Sequence, residues 1–449
     1  HTMILQNREL KNALIKIGVP VALQNMLTSL LNMIDTVMIG SLGDRAVAAV
    51  GLANQWFFIM NLVLFGIVSG SSIYVSQYYG KGDFKTMQIP IAYSLVLCTG
   101  VSVIFAGLSF FTPDFVMGLF TNDPETVAVG ADYLRVASLS YLMIAFSLPL
   151  ATAMRAVDAA VVPLIVTGSA LLINTGLNYT LINGHFGAPS LGVVGAAIAT
   201  STARVVETLA IYILVLAKKT KIRLKPKYFK FKSDFAKVYL KTIAPVIGNE
   251  SMWGLGISMY NIMFGHTNNV IVAANQISRN LEQITIALSI GVGSAAAVVI
   301  GRKIGEQRTK EAFAYAKKFA KASVVMGAVL GVIMLAAMPL YVDMYSVSNE
   351  AKEYSRMIII AFGVFMPMKM YNYMNIVGVL RSGGDTAFCF WLDTCSVWLV
   401  GVVSVYLALF VFKAPFWIVA ICLVLEEAVK AVVGFARFRS QKWLNDLVN

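Results

Sequence analysis

Residues 19–43 read VPVALQNMLTSLLNMIDTVMIGSLG, an uncharged run interrupted by a single carboxylate, Asp35. A helix of about 20 apolar residues is enough to cross the hydrocarbon core of a bilayer. The run is therefore long enough to span a membrane once. It also raises a question, because an ionisable side chain inside a membrane helix is costly to bury and usually has a function.

The composition of the whole chain agrees with a membrane protein. Its 449 residues are 58% hydrophobic and only 13% charged, whereas a water-soluble chain is usually about one quarter charged. Soluble cores cannot hide so large an apolar surplus, so we expect lipid to cover it.

Twelve hydrophobic runs are long enough to cross the membrane. Few of them alternate with period two, which disfavours a barrel of strands, and helices satisfy their own backbone polar groups in lipid. The sequence therefore predicts an all-α integral membrane protein with 12 transmembrane helices. The predicted spans are residues 12–39, 47–78, 88–111, 127–154, 161–183, 189–217, 239–264, 270–301, 314–341, 350–380, 387–412 and 415–437.

The distribution of basic residues predicts the orientation in the membrane. Lys and Arg concentrate at both termini and in segments 218–241 and 302–321, whereas segment 112–132 on the alternate side is acidic. Basic loops stay in the cytoplasm, so we expect both termini there, in a bacterial plasma (inner) membrane. The net charge of +13 is then a topology signal, and we predict no nucleic-acid partner.

The two halves of the chain repeat one another with an offset of 225 or 226 residues. KIGVPVALQN at 16–25 aligns with KTIAPVIGNE at 241–250, Gly80 with Gly305, and Arg155 with Arg381. Since each copy holds six spans, an even number, the copies are parallel repeats. We predict two pseudo-symmetric six-helix lobes at 3–217 and 239–449, joined by a basic cytoplasmic linker at 218–238 that contacts anionic lipid. Such a pair of bundles is typical of a transporter.

Asp35 has no basic residue within two helical turns along the sequence. It is either a structural acid that is hydrogen-bonded to a neighbouring helix or a carboxyl that binds and releases a cation. Burial disfavours the charge on a carboxylate, so the group can switch by taking up a proton. With oxygen neighbours it can instead hold Na+; we predict no other metal.

Polar residues of the fifth and sixth spans are the candidate neighbours of Asp35. Asn174 and Asn178 are four residues apart and share one helix face, and Thr200 lies in the sixth span. Amides and hydroxyls can donate to a carboxylate or offer oxygen to an ion, although they also join membrane helices.

Other charged residues occur in the C-terminal half. Glu250 in the seventh span is a candidate second cation or substrate carboxylate, with a structural role as the alternative. Arg204 with Glu207, Arg279 with Glu282, and Glu426 and Glu427 with Lys430 have spacings of three or four that favour neutralisation on one helix face. Lys369 and Asp393 have no sequence neighbour to pair with.

No signature of an enzyme is present in the sequence. A phosphate-binding Gly-x-x-x-x-Gly-Lys-Ser/Thr loop is absent, only three histidines occur, and the four cysteines lack metal-ligand spacing. We therefore predict a protein that is not an enzyme and needs no cofactor beyond a coupling ion.

Several motifs resemble the multidrug and toxic compound extrusion (MATE) family, over nearly the whole chain. They are IDTVMIGSLGDRAVAAVGLANQ at 34–55, SQYYGKGD at 76–83, MRAVDAAVVP at 154–163, LINTGLNYTLI at 172–182, AANQIS at 273–278 and VLRSGGDT at 379–386.

The resemblance implies an antiporter that exports cationic or amphipathic drugs in exchange for H+ or Na+. The family's first-span acid corresponds to Asp35, its fifth-span polar pair to Asn174 and Asn178, and a seventh-span acid of some branches to Glu250. Some members carry Asp where this chain has Asn178, which makes Asp35 the principal titrating group here.

Two alternatives belong to other functional classes. A lipid-linked oligosaccharide flippase of related architecture needs a strongly cationic cavity, whereas most of the intramembrane bases here have acidic neighbours in the sequence. A passive channel or scaffold would not move dye uphill on an imposed ion gradient. For the preferred function the predicted partners are small cationic or amphipathic drugs and membrane lipid, with the protein acting as a monomer.

Overall fold

The computed structural model describes residues 2–449, and the regular structure of this part of the chain is helical, in twelve long helices. Helix α1 consists of three successive segments, Thr2–Ala13, a π-helical turn at Leu14–Gly18, and Val19–Gly40. The others are α2 Asp44–Lys81, α3 Gln88–Phe111, α4 Pro124–Ala156, α5 Val161–Asn183, α6 Gly192–Leu216, α7 Ser233–Gly265, α8 Asn269–Gly305, α9 Thr309–Asp343, α10 Asn349–Gly383, α11 Thr386–Val411 and α12 Phe416–Ser440. The predicted twelve-helix membrane fold is confirmed.

Ten of these helices are long and apolar enough to cross a membrane by their own composition. The two that fall short are α7 and α12. Helix α7 carries Asn249 and Glu250 in its middle, and α12 carries Glu426, Glu427 and Lys430. Both helices thus bring polar groups into the hydrocarbon core of the membrane, where such groups need partners inside the protein.

The ends of the helices follow the local sequence. Pro124 opens α4 directly after Asp123, whose side chain accepts hydrogen bonds from the backbone and the hydroxyl of Thr126, as an N-cap residue does. The hydrogen bond from the Thr126 hydroxyl is the main cause that lowers the pKa of Asp123, a loop residue. Helix α5 ends where Gly184 adopts a left-handed conformation with φ 76°, which glycine allows without strain.

The chain packs as two compact units. The N-terminal unit comprises Leu23–Val75 and Asp83–Lys241, and the C-terminal unit comprises the N-terminal segment up to Ala22, Ser76–Gly82 and Thr242–Asn449. The chain passes from one unit to the other after Ala22, within α1, and again after Lys241, within α7. These two helices are the first helices of the two sequence repeats. The lobe boundaries inferred from the repeat, with a linker at 218–238, stay a prediction.

Repeat-related glycines bring the ends of α2 and α8 together inside the C-terminal unit. A Cβ atom on Gly80 would overlap the backbone of Arg302, and one on Gly305 would overlap the backbone of Gln77. Both positions need glycine for this close approach. The equivalence of Gly80 and Gly305 in the sequence repeat is therefore also an equivalence in packing.

The basic segment after α6 is held against α3 within the N-terminal unit. Gln88 accepts a hydrogen bond from the backbone of Arg223 (2.8 Å) and donates one to the carbonyl of Lys221 (3.0 Å). The rings of Tyr93 and Phe231 stack with centroids 4.2 Å apart. These contacts order a segment whose composition alone would suggest a flexible linker.

Candidate functional site

Asp35 lies half-buried on α1 and faces α5 within the N-terminal unit. Its Oδ2 accepts a hydrogen bond from Asn174 Nδ2 (3.0 Å), and its Oδ1 accepts one from Asn178 Nδ2 (2.5 Å). One turn of α5 separates the two asparagines, so each serves one carboxylate oxygen. The structure thus brings together the acid and the amide pair that the sequence singled out.

The carbonyl ends of the two amides are available for a ligand. Asn174 and Asn178 are buried, with 6% and 1% of their surface exposed. Among the described residues, neither Oδ1 atom accepts a hydrogen bond. An unsatisfied buried acceptor is costly, and carboxylate and amide oxygens are the ligands that hard cations prefer. The donor set of Asp35 with these two oxygens therefore fits Na+ as well as a proton.

Thr200 is half-buried on α6, and its part in holding an ion stays a prediction. Two residues that sequence reasoning missed do interact with Asp35 electrostatically, Tyr133 on α4 and Arg204 on α6. Arg204 lies one turn after Thr200, a spacing that could have revealed it. Its guanidinium forms an ion pair with Glu207 (2.6 Å), as predicted, and so its charge is shared with another acid.

A chain of polar contacts crosses the N-terminal unit beside this site. Arg155 donates to Gln24 (3.0 Å), Gln24 donates to Thr167 (3.1 Å), and Thr167 donates to Glu207 (2.8 Å). Glu207 in turn pairs with Arg204. The four helices α1, α4, α5 and α6 are thereby joined by buried groups that neutralise or satisfy one another, as buried polar groups must be.

Glu250 is not isolated in the structure. Its Oε1 accepts a hydrogen bond from Arg381 Nη2 at 2.7 Å, and Arg381 is only 2% exposed. This buried ion pair supports the structural alternative, and the role of Glu250 as a second cation or substrate carboxylate stays a prediction. The sequence could not reveal the pair, because its members are 131 residues apart.

The ion pair begins a second polar chain, which lies in the C-terminal unit. With its nitrogen towards Asp393, the amide of Asn249 donates to that carboxylate (3.0 Å) and accepts from Arg381. Asp393 forms an ion pair with Lys430 (2.7 Å). This places Asp393, which the sequence left without a partner, on the contact face between α11 and α12.

The two polar chains are related by the sequence repeat. Their members occupy equivalent positions at an offset of 225 or 226 residues: Arg155 and Arg381, Gln24 and Asn249, Thr167 and Asp393, Arg204 and Lys430. In both units an arginine contacts an amide on the first helix of the repeat, which contacts a side chain on the fifth. The duplication therefore extends from helix order to individual hydrogen bonds.

Most of the remaining intramembrane charges are paired as well. Lys369 forms an ion pair with Glu282, which also pairs with Arg279 at 2.7 Å. Lys430 lies 3.8 Å from Glu426. Of the predicted neighbours, Arg204 with Glu207, Arg279 with Glu282 and Glu426 with Lys430 form ion pairs. Glu427 instead accepts a hydrogen bond from Asn372 (2.8 Å), and Lys369 lies beside an acid on another helix.

Comparison with known proteins identifies a family pattern. The profile of the MatE family matches residues 20–180 and again residues 249–407. The two matched stretches together cover more than half of the chain, and they fall on the two sequence repeats.

Named relatives cover almost the whole chain at low identity. A probable multidrug resistance protein NorM from Thermotoga maritima is 23% identical over 437 residues, which are 97% of this chain and 93% of the relative. The multidrug resistance protein PmpM from Pseudomonas aeruginosa is also 23% identical, over 88% of this chain and 82% of its own length.

Solved structures share the fold. A crystal structure of MATE in complex with MaL6 superimposes with a TM-score of 0.86 at 20% identity, with 96% of each chain covered. The eukaryotic MATE transporter AtDTX14 gives a TM-score of 0.84 at 16% identity, over 98% of this chain and 97% of the other.

Proposed function

Because the chain belongs to the MatE family, whose named relatives are multidrug resistance proteins, we propose that it is a secondary active antiporter that exports cationic or amphipathic drugs in exchange for H+ or Na+. It is a multi-pass membrane protein of that transporter family. We place it in the bacterial inner membrane as a monomer. Both termini face the cytoplasm in this proposal, because Lys and Arg concentrate at the termini and in segments 218–241 and 302–321.

The observation that carries the proposal is the carboxylate of Asp35, each oxygen of which accepts a hydrogen bond from an amide rather than from a base. A carboxylate paired with an arginine would stay charged at all times, whereas one satisfied by amides can bind and release a cation. When the cation arrives, each amide can turn its unsatisfied oxygen towards it. Asn174 and Asn178 thus stabilise both states of the same site.

Binding and release of a cation at Asp35 can drive the exchange of that cation for a drug. Entry of the cation from outside neutralises Asp35 and releases the drug; loss of the cation to the cytoplasm restores the charge, and the next cationic drug binds. One elementary charge moving inward yields about 2.3 kcal/mol per 100 mV. That energy supports roughly 50-fold accumulation of an uncharged substrate, while a monovalent cationic drug is driven by the ion gradient alone.

The pairing of bases with acids bears on the flippase alternative. Arg204, Arg279, Lys369, Arg381 and Lys430 each lie within an ion pair. A pyrophosphate-linked substrate needs basic groups that are not already neutralised. This arrangement therefore supports a cationic or amphipathic cargo over an anionic one.

The Asp35→Asn variant tests the proposal in membrane vesicles. The amide keeps the shape of the side chain but cannot carry the exchangeable charge, so we expect ion-driven efflux of ethidium to fall to the level of vesicles without the protein. Asp234→Asn, an exposed acid at the start of α7, is the matched control and should transport normally.

Two outcomes would contradict the proposal. Unchanged efflux by Asp35→Asn, with equal protein in the membrane, would remove Asp35 from the mechanism. Competition of lipid-linked sugars with ethidium for the purified protein would favour the flippase instead.

A further inference from the structure

We propose that segment Gln441–Asn449, which follows α12, is a latch that holds the cytoplasmic end of α2 in the C-terminal unit. The protein has to release this latch each time its cation site opens towards the cytoplasm. We call the segment the C-terminal latch. The inference rests on the proposed exchange function and goes beyond it, because it assigns a conformational role to residues outside the Asp35 site.

The C-terminal latch is docked on the protein near both of its ends. Gln441 turns the chain away from α12 with a left-handed backbone (φ 56°). Trp443 is fully buried, and its indole donates a hydrogen bond to the carbonyl of Phe438 (3.1 Å). Val448 is buried as well, whereas Lys442 is exposed. Burial of so large an apolar side chain as Trp443 holds this surface segment in one place.

The end of α10 is shaped to receive the C-terminal latch. A Cβ atom on Gly383 would overlap the carbonyl oxygen of Trp443, and one on Gly384 would lie 2.8 Å from the side chain of Leu447. Gly384 also has a left-handed backbone, with φ 74°. Asn445 Nδ2 donates a hydrogen bond to the carbonyl of Gly383 (3.0 Å). Glycine at these two positions leaves the room that the latch occupies.

A buried amide of α2 binds the backbone of the C-terminal latch. The side chain of Gln77 is 0% exposed. Its Oε1 accepts a hydrogen bond from the backbone of Leu447 (2.9 Å), and its Nε2 donates one to the carbonyl of Asn445 (3.2 Å). The same nitrogen also donates to the carbonyl of Ser382 on α10 (2.8 Å). Because a buried amide needs partners, Gln77 and the latch depend on each other.

Further hydrogen bonds join the C-terminal latch to α2 and α8. Lys81 Nζ donates to the carbonyl of Val448 (2.6 Å), and Asn449 Nδ2 donates to the carbonyl of Gly305 at the end of α8 (3.2 Å). Lys81 and Asn449 are exposed, so water can replace these hydrogen bonds at little cost when the latch lifts. The latch therefore bridges the ends of three helices through contacts that are reversible.

The same hydrogen-bond pattern also occurs in the N-terminal unit. Gln88 on α3 accepts a hydrogen bond from the backbone of Arg223 and donates one to the carbonyl of Lys221. In both units a buried glutamine binds the carbonyl of one residue and the N–H of the residue two positions later. The bound segment in each case follows the last helix of a sequence repeat. This glutamine bridge satisfies backbone groups that lack a partner in regular structure.

The two glutamine bridges differ in where the glutamine lies along the chain. Gln88 and its partners all lie within the uninterrupted stretch Asp83–Lys241 of the N-terminal unit. Gln77 lies in Ser76–Gly82, a short piece of the C-terminal unit that is flanked on both sides by chain of the N-terminal unit. An antiporter rearranges its two bundles as its site faces one side and then the other. Residues Ser76–Gly82 cannot follow both units in that change, so the latch opens when they leave the C-terminal unit.

A cleavable cross-link tests whether the C-terminal latch has to open during transport. The variants Lys81→Cys and Asn449→Cys, in a background whose four native cysteines are replaced by alanine, are joined by a short bis-maleimide that contains a disulfide. We expect the link to stop efflux of ethidium from vesicles and reduction of the link to restore it. Efflux at the same rate before and after linkage would overturn the inference.

A second cross-link within the N-terminal unit is the matched control. Lys221 Nζ lies 4.5 Å from the centroid of the Phe84 ring, and both residues belong to Asp83–Lys241. Linkage of Phe84→Cys to Lys221→Cys with the same reagent should leave efflux unchanged, because it joins no residue of Ser76–Gly82. Equal loss of efflux with both links would contradict a specific role of the latch.

Labelling beneath the C-terminal latch provides a test that needs no transport. Ser382, whose carbonyl accepts a hydrogen bond from Gln77, is 2% exposed. In the cysteine-free background, we expect the thiol of Ser382→Cys to react slowly with a water-soluble maleimide in the purified protein. Adding Gln77→Leu should make this reaction about tenfold faster, because it removes the hydrogen bonds that close the latch. Adding Gln88→Leu, which removes the bridge of the other unit, should leave the rate unchanged.

The two measurements separate the C-terminal latch from exchange at Asp35. Efflux that persists after cross-linking would refute the latch and leave the role of Asp35 untouched. Equal labelling rates of Ser382→Cys with and without Gln77→Leu would refute the latch even in a protein that does not transport ethidium.

Discussion

At the scale of single residues, the two units use carboxylates in different ways. Asp35 is held by the amides of Asn174 and Asn178, and its charge can be cancelled without leaving a base unpaired. Glu250 is held by the guanidinium of Arg381. Loss of the negative charge of Glu250 would leave this buried guanidinium without its counter-charge. The first arrangement suits a carboxylate that gains and loses its charge, and the second suits a permanent structural ion pair.

A double-mutant cycle on the second pair measures its structural role. Arg381→Met alone should destabilise the protein by about 3–5 kcal/mol, since it leaves a buried acid uncompensated. The double variant with Glu250→Met should recover much of that loss, because no buried charge remains. Thermal unfolding in detergent, followed by tryptophan fluorescence, gives the comparison. Equal destabilisation by the single and double variants would show that the two side chains are not coupled.

The spacing of residues decided what could be predicted at this scale. Asp35 stands alone in an uncharged run, and the two asparagines share a helix face, so their meeting could be expected from the sequence. The pairs of Glu250 with Arg381, Glu282 with Lys369 and Asp393 with Lys430 each join different helices. No local periodicity connects such partners, and only the packing of the helices brings them together.

At the scale of helices, apolar runs located the membrane-crossing parts but not every end. Helices α3 and α5 coincide with the predicted runs, because Thr112-Pro113 and Gly184 stop them at the edge of the apolar stretch. Helix α7 begins at Ser233, six residues before the run predicted from 239. The helix begins with the polar residues Ser233 and Asp234 and continues with Lys237, so its start lies outside the stretch that hydrophobicity detects.

Two glycines of α2 provide a test of packing within one helix. Gly80→Ala places a methyl group against the backbone of Arg302 and should destabilise the protein by about 1–3 kcal/mol. Gly51→Ala faces open space and should be neutral or stabilising by about 0.5–1 kcal/mol. The midpoint of thermal unfolding in the same detergent compares them. If both variants melted together, the close approach of α2 and α8 would not contribute to stability.

At the scale of the whole molecule, duplication gives two related polar frameworks with different chemistry. The chain of Arg155, Gln24 and Thr167 in one unit corresponds to Arg381, Asn249 and Asp393 in the other. The sequence repeat predicted the two six-helix halves, but not that the hydrogen bonds repeat.

The most direct measurement of the central claim is the release of cations when drug binds to the purified protein in detergent. With weakly buffered solution and ethidium as the probe, the account predicts that the wild-type protein and Asp234→Asn release H+, or Na+ when sodium is present. It predicts that Asp35→Asn, whose side chain cannot exchange a cation, releases fewer cations for each dye molecule bound and binds the dye less tightly. The same release from Asp35→Asn as from the wild-type protein, at equal dye binding, would contradict the account.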